Sequence, residues 1–295
     1  MGERALFQLL PHRSHNPKGQ HVKTMKLFSF AMFALTCAIP TLAAAQENES
    51  LFGKKTLSVT YGPYARFELG GATPSLSGGT WLPPGASDPS ISFDVIPDES
   101  QLGFGAMAIG YDWQNGFRAD LSVFGTASTG LTAPCSSASD GSACSTHADI
   151  TGGSLQTRGM MVNAFYAPLE ARGSNNVFQP FIVGGIGLAQ NDVGDWTRTK
   201  NSNNATLGNE DVKEFFGDKT TSLAWSAGVG ASLQLTKAGQ WPVLLEASWR
   251  YYDFGTAKGS STLKTGSGGM PREPFSFENT SQVVSIGVRI PLERY

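Results

Sequence analysis

The stretch SQVVSIGVRIPL, residues Ser281 to Leu292, decides the fold class of this 295-residue chain. Every second residue from Val284 to Leu292 is valine, isoleucine or leucine, and serine, glycine, arginine and proline stand between them. A strand with this period presents one apolar face and one small or polar face. The pattern fits a soluble β-sandwich as well as a barrel, so the remaining chain must discriminate between the two.

Seven earlier segments carry comparable patterning and predict seven more strands. The sixth predicted strand is the clearest, because the odd-numbered residues from Leu223 to Leu233 are apolar and the residues between them are small. In chain order, the predicted strands span residues 61–70, 102–113, 117–125, 157–167, 178–189, 223–233, 241–254 and 281–292.

The connections between these strands alternate in length. Short turns are predicted at 114–116, 168–176 and 236–240, the first containing an Asn-Gly pair typical of tight hairpins. Long connections are predicted at 71–101, 126–156, 190–221 and 255–280. All short turns therefore fall at one end and all long loops at the other. This asymmetry favours an eight-stranded antiparallel up-and-down transmembrane β-barrel with four long outer loops and three short periplasmic turns.

An export signal precedes the strands. Met25 and Lys26 lead into the apolar run LFSFAMFALTCAIPTL, Leu27 to Leu42, which three alanines follow. A charged start, a short apolar run and an A-x-A site are typical of a signal peptide, so we expect cleavage between Ala45 and Gln46. Met25 is interpreted as the true translation start.

The sequence thus divides into three parts. Residues 1–45 are interpreted as an N-terminal extension with a cleaved signal peptide, 46–60 as a periplasmic leader and 61–295 as the barrel. One alternative is that residues 1–24 are an unusually long charged start of the signal peptide. Another is that the apolar run is a retained membrane anchor, but its shortness and Pro40 disfavour that interpretation. No cell-wall-binding segment is expected after Tyr295.

The mature chain is mildly acidic and keeps two cysteines. Removing five basic residues and one acidic residue with the signal region from totals of 22 and 24 leaves 17 and 23, a net charge near −6. Because no basic patch appears, nucleic acid is not expected as a partner. Cys37 leaves with the signal, and the even pair Cys135 and Cys144 predicts a disulfide in an exported protein.

Seven charged residues fall opposite the apolar face of their strands. Facing lipid near the bilayer centre, each would cost roughly 2–4 kcal/mol, so they are assigned to the lumen. The lumen of an eight-stranded barrel holds little more than side chains, so these charges are expected to pair and plug it, with a narrow ion path as the alternative. The residues are Arg66, Glu68, Arg118, Asp120, Glu246, Arg250 and Arg289.

Four segments resemble a known family: GYDWQNGFRADLSVFG (Gly110 to Gly125), FQPFIVGGIGLA (Phe178 to Ala189), LEASWRYYDFG (Leu245 to Gly255) and VVSIGVRIPLERY (Val283 to Tyr295). They look like the opacity-like surface-antigen barrels of Gram-negative bacteria, which are similar to the transmembrane domain of outer-membrane protein A. The resemblance covers most of residues 61–295 and consists of a repeated strand pattern.

This resemblance implies a location in the cell outer membrane. It also implies outer-membrane lipid, lipopolysaccharide and the barrel assembly machinery as partners, and a structural, surface-antigen or adhesin-like role. The long loops would then meet a host or environmental ligand. A narrow porin-like channel for small solutes or ions and a soluble exported ligand-binding barrel stay open as alternatives.

An enzyme is not expected. The only histidine of the mature chain, His147, lies in the cysteine-bearing loop with Ser145 and Asp149 nearby, a weak basis for general-base catalysis. Gly185 and Gly187 form no dinucleotide fingerprint, and no spacing suggests a metal, so no cofactor is expected.

Aromatic residues near strand ends or on outward-facing positions predict the interfacial girdles of a membrane barrel. Trp81 and Trp196 lie in the long connections, where ligand stacking is an alternative supported only by position. The predicted girdle residues are Trp113, Phe117, Tyr166, Trp241, Trp249 and Tyr251.

Overall fold

The computed structural model describes residues 62–85, 91–138, 141–173, 177–200, 212–236, 241–266 and 268–293. The predicted signal peptide, the cleavage site between Ala45 and Gln46, the leader, Tyr61 and Tyr295 lie outside these residues. The described residues form one 15-stranded sheet.

Eight of the strands close into a ring. Each pairs antiparallel with the next along the chain, and the last pairs back with the first. The strands are β1 (Gly62–Leu82), β2 (Leu102–Asp112), β3 (Phe117–Thr126), β4 (Ala148–Tyr166), β5 (Phe178–Val193), β6 (Asp218–Gln234), β7 (Leu244–Lys258) and β8 (Glu273–Pro291). The predicted eight-stranded antiparallel up-and-down barrel is therefore confirmed.

The two ends of the barrel differ. The strand ends that the connections β2–β3, β4–β5 and β6–β7 join lie at one end, called here the turn end, and the strand ends joined by the other connections lie at the opposite end, called the loop end. At the turn end a one-turn α-helix, Pro168–Ala171, begins with proline, which suits the first helical position.

The loop end contains much more β-structure than the sequence predicts. β1 runs to Leu82 rather than residue 70, and β8 begins at Glu273 rather than residue 281. A 3₁₀ turn spans Cys144–Thr146. Seven short strands add to the extended barrel strands: Ile91–Phe93, Ile96–Pro97, Thr129–Ala133, Cys135–Ala138, Trp196–Lys200, Lys213–Phe215 and Leu263–Thr265.

The Asn-Gly turn between β2 and β3 forms the tight hairpin expected from sequence. The Trp113 amide donates to the Phe117 carbonyl at 3.1 Å. Gly116 has φ +87°, and a Cβ there would lie 2.6 Å from the Cβ of Ala171 in the neighbouring turn. Glycine is therefore required here both for backbone conformation and for space.

Two apolar clusters fill much of the barrel interior. The middle cluster contains Ala72, Leu102, Phe104, Phe124, Met161, Ala189, Ala224, Tyr252, Phe254 and Val283. The loop-end cluster contains Trp81, Ile91, Phe93, Val95, Leu131, Ala133, Ile150, Leu155, Val193, Trp196, Phe215, Ala257, Phe275 and Phe277. Burying a large apolar side chain contributes about 1.5–3 kcal/mol, so the second cluster holds the short strands onto the extended barrel strands.

Candidate functional site

A band of exposed apolar side chains surrounds the barrel. Alternate outward residues from Leu223 on β6 to Leu235, one residue past the end of that strand, are apolar. Val229 at their centre is 53% exposed, and Thr221, the outward residue before Leu223, is polar. At about 3.3 Å per residue this segment spans about 40 Å, which a strand tilt of about 40° projects to about 30 Å. That height matches the hydrocarbon core of a bilayer, about 30 Å.

The band ends at similar places on other strands. On β1 the outward residues beyond Leu69 are Gly71, Thr73, Ser75 and Ser77, all exposed. On β8 the apolar outward positions stop at Val284, and Gln282 follows. The barrel strands therefore continue past the band at the loop end, with polar residues on their outer surface.

Aromatic side chains lie near both borders of the band. At the turn end, Trp113 packs against Tyr111 at 5.4 Å between ring centroids, Phe117 packs against Tyr166 at 4.8 Å, and Trp241 is exposed. Towards the loop end, the ring centroids of Trp225 and Tyr251 lie 5.5 Å apart. Trp249 faces outward on β7 but pairs with Val229, so it lies near the centre of the band rather than at a border. Tyr111 and Trp225 were not among the predicted girdle residues.

The seven charged residues assigned to the lumen are all buried inside the barrel, where they form ion pairs. Glu246 Oε1 lies 2.7 Å from Arg118 Nη1 and 2.9 Å from Arg289 Nε. Since β3 and β7 lie four strands apart in a ring of eight, the Arg118–Glu246 pair crosses the lumen. This contact places two charged side chains in the path that any permeating solute would take.

Glu68 bridges a second pair of arginines. It contacts Arg66, and its Oε1 atom lies 3.3 Å from Arg250 Nη2. Arg66 also contacts Asp120, with 2.9 Å between Nε and Oδ2, and Asn163 donates to the other oxygen of Asp120 at 2.7 Å. The lumen charges thus form two ion-pair clusters, one around Glu68 and one around Glu246. Arg66 of the first and Arg118 of the second both contact the ring of Phe165, and the two clusters together are called here the charge layer.

Asp112 belongs to the charge layer and was missed by the sequence analysis. Its Oδ2 atom lies 2.5 Å from Arg289 Nη1. The signal was present, because Met107, Ile109 and Tyr111 face outward on β2, which turns even-numbered Asp112 inward. With Asp112 included, four guanidinium groups meet four carboxylates, so the layer is balanced in charge.

Aromatic rings seal the charge layer at the turn end. The guanidinium carbon of Arg118 lies 4.3 Å from the ring centroid of Phe165 and 4.7 Å from that of Phe181. Cation–π contacts of this kind are stabilising when desolvated. Phe165 and Phe181 pack edge-on with 5.6 Å between centroids, which leaves arginine and phenylalanine filling this part of the lumen.

The predicted disulfide between Cys135 and Cys144 is present in the structure. Asp149 Oδ1 accepts a hydrogen bond from the Cys135 amide at 3.0 Å, which ties the loop closed by the disulfide to the start of β4. The His147 Nε2 atom lies 2.6 Å from the Ser142 hydroxyl, and the imidazole is half-buried. His147 is therefore part of a structured loop, rather than the solvent-exposed side chain that its loop position suggests.

The two loop tryptophans have different environments. Trp196 is fully buried and stacks on Phe215 with 4.2 Å between ring centroids, so its ring belongs to the loop-end cluster and cannot stack on a ligand. Trp81 is also buried, but it lines a cavity of about 210 Å³ at the loop end. Arg198 lies above the Trp81 ring, 5.7 Å from its centroid.

An ion-pair cluster joins two of the loop-end connections. Lys264 Nζ lies 2.7 Å from Asp195 Oδ2 and 2.9 Å from Glu214 Oε1. These hydrogen bonds raise the pKa of Lys264, and the bond from Lys264 lowers the pKa of Asp195. At the turn end, burial, aided by the nearby Asp112 carboxylate, raises the pKa of Glu170.

Within the part of the chain that the structure describes, no group of histidine, cysteine, aspartate and glutamate side chains could hold a metal ion. No helix within the same residues is long and apolar enough to cross a membrane.

Comparison with known proteins finds similarity among solved structures. No family model matches the chain, and no curated protein matches it. Neisserial surface protein A is 16% identical, with 78% of this chain and 97% of that chain covered and a TM-score of 0.39. Outer membrane protein OprG from Pseudomonas aeruginosa is 14% identical, with 78% and 95% covered and a TM-score of 0.42.

A protease is also among the similar structures. Outer membrane protease OmpT from Escherichia coli is 10% identical, with 80% of this chain and 99% of that chain covered and a TM-score of 0.45. At these identities and TM-scores the likeness carries no inference about the activity, ligand or location of this chain.

Reduction of the disulfide is expected to loosen the loop that it closes and to leave the barrel folded. Closing a loop of about ten residues contributes about 2.7 kcal/mol in the chain-entropy estimate. The ring pairings of the eight barrel strands do not involve Cys135 or Cys144. Limited proteolysis of reduced protein should therefore cut between Thr126 and Gln156, while the migration of unboiled and boiled samples in SDS gels stays different.

A double variant, Cys135→Ser with Cys144→Ser, should reproduce the proteolysis pattern without reductant. Free thiols in protein purified without reductant would rule out the disulfide. Unfolding of the whole barrel on reduction would show that the disulfide-closed loop is required for barrel stability.

Proposed function

We propose that this protein is an integral outer-membrane β-barrel with a plugged lumen, whose loop end presents a structured surface to the cell exterior. The observation that carries the proposal is the apolar band around a closed ring of strands. Exposed apolar patches of this extent mark contact with lipid or another protein. A closed ring leaves no unpaired strand edge, as a lipid environment requires.

The orientation follows from the unequal ends. Outer-membrane barrels have short periplasmic turns and longer outer loops, so the turn end is assigned to the periplasm and the loop end to the exterior. The band would contact outer-membrane lipid, and the polar strand extensions above it would contact lipopolysaccharide. Insertion would require the barrel assembly machinery, the partner that the resemblance to outer-membrane barrels implies.

A structural and surface-interaction role fits the interior better than transport does. The charge layer, the middle cluster and the loop-end cluster occupy successive levels of the barrel interior. The Arg118–Glu246 pair spans the lumen at the lowest of these levels. A porin-like channel would need a continuous polar path through two apolar clusters. The surface-antigen or adhesin-like role is therefore placed at the loop end, and no enzymatic activity is proposed.

Planar-bilayer recording tests the plugged lumen. Purified protein should insert without steady conductance, and Arg118→Ala should produce at most brief openings, because the two apolar clusters remain in place. Insertion is checked by the difference between unboiled and boiled migration in SDS gels. Steady ion conductance in the unsubstituted protein, lowered by Glu246→Gln, would establish the porin-like alternative. Extraction in plain buffer with identical migration before and after boiling would establish a soluble barrel.

A further inference from the structure

The cavity beside Trp81 is formed where all four loop-end connections meet. Trp81 ends β1, and Ile91 lies on the strand that follows it. His147 belongs to the second connection, just before β4, while Arg198 and Lys213 come from the two strands of the third connection. Gly269, from the fourth connection, also lines the cavity. A site assembled from four separate segments is preorganised by the loop-end cluster beneath it.

The walls of this cavity combine an apolar floor with basic side chains. Trp81, Ile91 and Phe215 are buried members of the loop-end cluster. Arg198, Lys213 and His147 provide positive or ionisable groups, and none of the described lining residues is aspartate or glutamate. Ligand sites commonly have apolar walls with a few convergent polar groups. Arg198 and His147 already have interaction partners, so Lys213 is the cation of this wall that favours an anion.

Two side chains in the cavity wall have unused bonding capacity within the described chain. Trp81 is 4% exposed, and its buried indole Nε1 donates no hydrogen bond to any described residue. Lys213 forms no ion pair with a described carboxylate, in contrast to Lys264 on the adjacent strand, which contacts two. A buried donor without an acceptor is costly, and a ligand oxygen could satisfy it.

The size of the cavity limits the ligand. A volume of about 210 Å³ corresponds to roughly seven water molecules. A cavity of this volume has room for one small ring with an acid group.

We infer that this cavity binds a small carboxylic acid built on a single compact ring, with the carboxylate towards Lys213 and the ring against the apolar floor. The inference rests on the proposed function, because it requires the loop end to face the exterior. It goes beyond that function by specifying the ligand class and the site. Benzoate is the simplest probe of this chemistry.

Calorimetric titration of the oxidised mature protein in detergent tests the inference. Benzoate should bind in a 1:1 ratio, at least tenfold more tightly than benzyl alcohol, which lacks the charge, and acetate, which lacks the ring. Cyclohexanecarboxylate should bind comparably to benzoate if the ring is held by apolar contact. Equal affinities for benzoate and acetate, or stronger binding of inorganic phosphate, would overturn the assignment.

Lys213→Gln is expected to weaken benzoate binding about tenfold, as expected for loss of one charge-assisted contact. Lys219→Gln is the matched control, because it removes the same charge from an exposed loop-end lysine that pairs with Asp192, 3.0 Å away, and does not line the cavity. An equal effect of both substitutions, or none from Lys213→Gln, would contradict the site. Both variants must show different migration before and after boiling.

These outcomes separate the inference from the proposed function. Protein that inserts into membranes without conducting and yet does not bind benzoate would overturn only the ligand site. Protein that folds and stays soluble without detergent would overturn the membrane assignment, whatever it binds.

Discussion

Replacing Glu246 with glutamine is expected to destabilise the barrel by roughly 3–5 kcal/mol, the range for breaking a buried ion pair from one side. Glu246 is buried and contacts both Arg118 and Arg289, and the Ser232 hydroxyl donates to it at 2.9 Å. Glutamine keeps the shape and an acceptor oxygen but leaves two buried guanidinium groups without their shared carboxylate. Equilibrium urea unfolding in lipid vesicles measures the change.

Asp192→Asn is the matched control for this substitution. Asp192 also pairs with a basic residue, Lys219, but both side chains are partly exposed at the loop end. Exposed pairs contribute about 0–1 kcal/mol, so this variant should unfold near the urea concentration of the unsubstituted protein. Similar losses for the two variants would mean that the charge layer is wet and contributes no more than a surface pair.

Val229→Arg should cost roughly 2–4 kcal/mol, because it places a charge at the centre of the apolar band, where a bilayer would surround it. Val229 faces outward on β6, midway between Leu223 and Leu235. The same urea assay in vesicles gives the free energy of unfolding. The expected loss depends on lipid, because the exposed valine makes few contacts that arginine would remove.

Thr221→Arg provides the comparison on the same strand and the same face. Thr221 lies beyond the last apolar residue of the band, so arginine there should change stability by at most about 1 kcal/mol. Ser226→Ala, on the inward face, should also cost little, since the hydrogen bond shown for its hydroxyl within the described chain goes to the sulfur of Met161, a weak acceptor. Equal effects of Val229→Arg and Thr221→Arg would place both residues in water and remove the main support for a membrane location.

The sequence predicted the ring of strands because each strand must keep one apolar face along the whole band. Period-two patterning is strong there, and eight segments carry it. Beyond the band the same strands continue without the pattern, since outward Thr73, Ser75 and Ser77 are polar and β1 is irregular between Ser77 and Leu82. Predicting the strand extensions therefore required the hydrogen-bonded partners, which no local pattern reveals.

Residue phase predicted which charges face inward, but it could not predict their partners. Arg118 and Glu246 are more than a hundred residues apart and meet only because the closed ring places β3 opposite β7. The sequence predicts even less about the cavity at the loop end. Its lining residues come from four connections, and the position of Trp81 in a long loop was the only sequence signal for it.

The loop-end cluster links the evolution of the four outer connections. Phe93 from the first connection packs edge-on against Phe275 of β8. The ring centroid of Phe275 also lies 5.8 Å from that of Trp196, which belongs to the third connection. Substitutions in different connections therefore act on one shared core, and their effects will not add independently. A surface built this way can vary freely at its exposed side chains, whereas a change in a buried aromatic residue calls for a compensating change in another connection.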